Sequence, residues 1–130
     1  MLKVARILQA VAQNLHQLAE EFVKGQDLSR VEGKCADMAK LFSQFLSDRG
    51  VASKIIDARD YKGPLASVGK SNHVLASVNG SYVDFTAKQF SSSAAPIVIG
   101  SVRSLTRDWG VVNTYNNYQD FLNNFSKTQK

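Results

Sequence analysis

Apolar residues recur along this chain with two different periods, and the change from one to the other divides it. Over residues 2–24, Val4, Leu8, Val11, Leu15, Leu18 and Phe22 fall on one stripe at intervals of three and four, with Ala12 and Ala19 beside them. That spacing predicts an amphipathic helix stopped by Gly25. Three heptads of it would also suit a coiled-coil seam, but packing on the core of the same domain is the simpler use of the stripe. Residues 26–33 have no such period and read as a loop. A second helix is expected over 34–48, ending before Gly50, with Cys35, Met38, Ala39, Phe42, Phe45 and Leu46 on one face.

Beyond Gly50 the period shortens. Val51–Ala58 reads as a strand, and residues 59–71, with Gly63-Pro64 and Gly69, as a loop of the length that lids and binding loops have. Asn79-Gly80 between alternating apolar residues is a strong hairpin signal. With those two as the turn, Val78 pairs with Ser81, Ser77 with Tyr82, Ala76 with Val83 and Leu75 with Asp84. Alternation then places His73, Leu75, Ser77, Tyr82, Asp84 and Thr86 on one face, and Val74, Ala76, Val78, Val83 and Phe85 on the other, core-facing side.

A connection through Ser91-Ser92-Ser93 leads to a strand expected at Pro96–Ile99. Trp109-Gly110-Val111-Val112 is ambiguous. Residues 116–125 read as a closing helix, with Tyr118, Phe121, Leu122 and Phe125 at helical spacing. Helices first and antiparallel strands after define an α+β class, with N-terminal helices packed on a small antiparallel sheet in one domain over 1–130.

Composition narrows the function classes. A single cysteine excludes an intrachain disulfide, so the fold does not require an oxidising compartment. No run approaches the roughly 18 apolar residues of a membrane span, and no signal-peptide pattern opens the chain, so the expected site of action is a cytosol. The net charge of +5 comes from 16 Lys and Arg scattered among 11 Asp and Glu. Without a basic run, that supports solubility rather than specific nucleic-acid binding. One Cys, two His and dispersed carboxylates give no zinc-type ligand spacing, and no phosphate-binding glycine loop is present, so neither metal nor cofactor is expected.

The chemistry concentrates in three residues. Cys35, in Gly33-Lys34-Cys35-Ala36, stands at a helix start, where unsatisfied N–H groups and the helix dipole favour a thiolate. Glu32 and Asp37 oppose that effect, and Cys35 is also in register with the apolar stripe, as a core cysteine would be. His73 and Asp84 share a strand face and lie diagonally across the hairpin, at the roughly 7–8 Å over which cross-strand side chains still meet. Aspartate is depleted in strands, so Asp84 between Val83 and Phe85 calls for a local partner, and an imidazole supplies one. Nucleophile, base and orienter are thus available in that chain order.

Gly-x-Cys-Ala on a helix, His-Val on a strand, a glycine turn and a Val-Asp strand together resemble the papain-like fold enzymes over roughly residues 30–90. The likeness is nearest to compact bacterial toxin and effector domains: cysteine peptidases, protein deamidases and transglutaminase-like enzymes. The resemblance implies Cys35 as nucleophile, His73 as general base and acid, and Asp84 as orienter. It also implies a protein substrate, a cognate immunity protein if the domain is a toxin, and action in the cytosol of a target cell after delivery. Papain's glutamine upstream of its cysteine has no counterpart in Ser29-Arg30-Val31-Glu32. Gln26 or Asn72, with the Cys35 N–H, are the oxyanion candidates. Two other classes stay open: a basic nuclease-type toxin using His73, and a catalytically inert adaptor on the same scaffold.

Overall fold

The computed structural model describes residues 14–26, 35–63, 72–86 and 96–128. Helix α1 covers 14–24 and α2 spans Cys35–Asp48. Strands β1 (Lys54–Tyr61), β2 (His73–Val78), β3 (Ser81–Asp84) and β4 (Val98–Ser101) follow. A 3-10 turn at Val102–Ser104 and the short helix α3 (Leu105–Asp108) lead into β5 (Trp109–Tyr115) and α4 (Tyr118–Thr128). The five strands form one antiparallel sheet in the order β4-β3-β2-β1-β5.

The α+β expectation stands for this chain, with several boundaries moved. The first strand begins at Lys54 rather than Val51 and continues to Tyr61, into the expected loop. The fourth strand runs Val98–Ser101, two residues later than expected, and the ambiguous Trp109 segment is the edge strand β5. The turns at 102–108 were not anticipated, because four residues of Leu-Thr-Arg-Asp are too few to show a period. The start of the first helix, the loop before Cys35, residues 64–71 and the triple serine lie outside the described residues.

Helix α2 ends as its sequence requires. Gly50 takes φ +74, its N–H reaches Ser47 O, and the Val51 N–H reaches Leu46 O, closing a Schellman motif. The helical stripes bury Leu15, Ala19, Phe22, Met38, Ala39, Phe42 and Leu46 against Ile55, Val74, Ala76, Val78, Val83 and Phe85 of the sheet. Phe42 is the hub, its ring centroid 5.1 Å from Phe22 and 4.9 Å from Phe85. On α4, Phe121 joins this core, whereas Leu122 remains 36% exposed.

The opposite sheet face is buried as well, despite the polar residues the hairpin places on it. Ile56, Ala58, Leu75, Leu105 and Trp109 form a second buried cluster there. His73, Ser77 and Asp84 are buried on that side. The 3-10 turn and α3, short as they are, supply the cover. On the first face, Asp57 is fully buried, with one oxygen accepting from Arg59 Nε at 2.9 Å and Oδ1 meeting no hydrogen-bond partner.

Candidate active site

The hairpin sets the geometry of the site. Asn79 and Gly80 both have positive φ, 51 and 82, as the two-residue turn that matches strand twist requires. The register is Val78↔Ser81, Ser77↔Tyr82 and Ala76↔Val83, as the sequence predicts. Because faces alternate, that register carries Asp84 to the side on which His73 opens β2. His73 Nε2 and Asp84 Oδ2 are 2.8 Å apart, with both side chains buried.

Thr86 completes the carboxylate's surroundings. Its N–H donates to Asp84 Oδ1 at 2.7 Å and its hydroxyl to the same oxygen at 3.0 Å. Both Asp84 oxygens are therefore engaged, which is how a buried carboxylate can remain charged. Sequence reading placed Thr86 on this face without giving it a role. The aspartate-x-threonine spacing, in which the third residue folds back on the carboxylate, was the available signal.

Cys35 is the first residue of α2 and packs at the margin of the first core cluster, half-buried. It lines one narrow cleft with Val74, Leu75, Asp84, Phe85 and Thr86. Helix start and strand start thus meet at one end of the sheet. The imidazole held by Asp84 and the thiol are close enough for each to shift the other's titration.

The three titrating groups influence one another in one direction. Burial alone would push the Cys35 thiol up. A hydrogen bond with His73, the Val74 N–H, the imidazole charge and the Ala36 N–H together bring it below the ordinary thiol value. Burial would lower His73, but hydrogen bonds and charge from Asp84 and Cys35 hold it up at about 9. Burial opposes the Asp84 charge too, and its bonds to His73 and Thr86 lower its pKa nevertheless. These shifts run toward a thiolate–imidazolium pair steadied by a carboxylate.

Two aromatic residues frame the pair. The Trp109 ring stacks on His73, with centroids 5.9 Å apart and planes at 19°. Tyr118, at the start of α4, has its phenol pKa raised by burial and then by the charges of Asp37 and Cys35, and Lys40 Nζ lies 5.7 Å from its ring. Neither was legible beforehand, since both reach the site only through tertiary packing.

The expected oxyanion residues fare differently. Asn72 meets Cys35 through its main-chain carbonyl, a long contact of 4.0 Å to Sγ, and not through its carboxamide. Gln26 closes the end of α1, its N–H on the Val23 carbonyl. The described contacts bring neither carboxamide to the sulfur, whereas the main-chain N–H groups of Val74 and Ala36 help to lower its pKa. A wider cleft of about 480 Å³ lies at the far end of β2 among Lys54, Ile56, Ser77, Asn79 and Thr114, and no member of the Cys35–His73–Asp84 set lines it. Chemistry, not width, marks the site.

Among the described residues no group of three potential metal ligands gathers, and no helix is long and apolar enough to cross a membrane. Comparison with family models, with curated proteins and with solved structures finds no match.

Proposed function

We propose that this domain is a papain-like cysteine hydrolase that attacks an amide carbonyl of a protein substrate, by peptide cleavage or glutamine deamidation. The observation that carries the reading is the 2.8 Å bond between His73 Nε2 and Asp84 Oδ2, at the end of the sheet where Cys35 opens α2 and shares a cleft with Asp84. In this mechanism the Cys35 thiolate adds to the carbonyl carbon, forming a C–S bond. The imidazolium then gives its proton to the departing nitrogen as the C–N bond breaks. Water, deprotonated by the now neutral His73, hydrolyses the thioester and regenerates the thiol. Main-chain N–H groups around the sulfur suit the transient oxyanion.

The resemblance to toxin and effector domains supports a setting in which the substrate belongs to a target cell and a cognate immunity protein restrains the enzyme. Transglutamination ranks below hydrolysis, since no separate site for an amine substrate is evident in the sequence. Mass spectrometry of a recipient-cell lysate incubated with the wild-type domain and with Cys35→Ala is the test. New chain termini indicate cleavage, and glutamine-to-glutamate conversion indicates deamidation. Equal activity of the two proteins would transfer the case to a nuclease or an adaptor.

A further inference from the structure

The ends of β1 and β5 break the rule that side chains alternate across a strand. In β1, Ile55 faces the first core while Ile56 and Ala58 face the second, and in β5 Tyr115 packs on the first while Val112 packs on the second. Continued alternation would place Tyr61 with Asp57 and Arg59, and Trp109 with Val111, on the first face. Both rings instead belong to the second cluster, 4.9 Å apart.

The reversal occurs at one place. Asp60 has φ 58, a left-handed conformation that a non-glycine residue rarely adopts in a strand. Its neighbour across the ladder is Gly110, where a Cβ would stand 3.2 Å from Asp60 Cβ and 3.3 Å from its carbonyl oxygen. Pairing resumes beyond the kink at Tyr61↔Trp109, and the Lys62 N–H reaches Asp108 O at 2.7 Å. The chain stores strain here and keeps the strands in register while turning two aromatic side chains over. One of those rings is the one stacked on His73.

We infer that the Asp60–Gly110 kink is a positioning device for the catalytic pair, turning the Trp109 indole onto His73 so that the imidazolium stays aligned between Asp84 and Cys35. The inference rests on the thiolate–imidazolium reading of the site. A flat indole against the ring restricts its rotation and offers a cation–π contact to the charged form. Asp60 and Gly110 touch no reacting atom and act only through Trp109.

Trp109 is the one tryptophan of the chain, so its fluorescence reports on this contact directly. An imidazolium against an indole quenches its emission, and emission should rise as pH passes through about 9, where His73 loses its proton. His73→Ala should abolish that step. Asp60→Gly, which adopts positive φ without strain, is the conservative variant and should retain it. Gly110→Val should lose the step and slow Cys35 alkylation at neutral pH about fivefold, the scale of one cation–π contact. If Gly110→Val does not fold, Gly110→Ala, whose Cβ needs its neighbours to yield only slightly, should show the same two changes in smaller measure. A folded Gly110 variant with an unaltered step and unaltered alkylation overturns the positioning role. Alkylation of the wild type at the pH of a free thiol would instead overturn the proposed function itself.

Discussion

The carboxylate of Asp84 holds His73 Nε2 at 2.8 Å with one oxygen and receives two donors from Thr86 with the other. The partner of His73 is itself held in place. A carboxylate fixed at both oxygens cannot swing away from the imidazole, and its charge remains compensated in a buried place.

Thr86→Val tests that arrangement, because it removes the hydroxyl donor and leaves the N–H. The lost hydrogen bond to a charged group should cost about 1.5–3 kcal/mol in urea unfolding. It should also raise the Asp84 pKa, so that the acid limb of the activity profile moves upward. An unchanged acid limb would show that the main-chain N–H alone holds the carboxylate.

On the proposed function, Cys35, His73 and Asp84 should carry unequal weight. Cys35→Ala should abolish activity, and His73→Ala should be nearly as severe, since the other histidine, His16, is exposed and paired with Glu20 on α1. Asp84→Ala should retain more activity, because nucleophile and base both survive. Residues acting as a unit are non-additive, so Cys35→Ala/Asp84→Ala should be no less active than Cys35→Ala. Release of ammonia or of peptide fragments by the folded variants is the readout.

The pH dependence of stability follows from the signs of the shifts. His73 is raised from about 6.5 to about 9, so its contribution is complete below the unfolded value and disappears as pH rises through the folded one. Asp84 is lowered, so its contribution is present above about 4 and is lost as pH falls through its folded value. The depressed Cys35 thiol acts in the opposite sense to His73, contributing above about 8.5 and losing that contribution as pH falls. In Cys35→Ser the imidazole is isolated, and Asp84 still holds it up. Melting temperature in that variant should decline above about pH 6.5, and Cys35→Ser/His73→Ala should lack the decline.

Fully buried Asp57 and its partly exposed partner Arg59 offer a test away from the chemistry. Arg59→Met should destabilise the fold by about 3–5 kcal/mol, because it strands a fully buried carboxylate. Arg59→Met/Asp57→Leu should recover most of that loss. If the double variant is as unstable as the single one, the pair contributes through more than mutual neutralisation. Chemical denaturation of the three proteins decides between these outcomes.

Local chemistry in the sequence determined the hairpin, since Asn79-Gly80 has only one comfortable turn and that turn has only one register. The same logic settled the contact between His73 and Asp84, because period-two alternation leaves no choice of face. Apolar stripes likewise identified Leu15, Phe22, Phe42 and Leu46 as core, a consequence of helical period alone. Tertiary structure decided what covers the second sheet face and what stands over His73. Trp109 follows 36 residues after His73 in the chain, and its side is set by a strained φ at Asp60 that no propensity reveals. Nor could spacing distinguish a reactive Cys35 from a packed one. That difference depends on the direction of a strand end toward a helix end, and such long-range placement is an energy balance of the whole fold, not of any local segment.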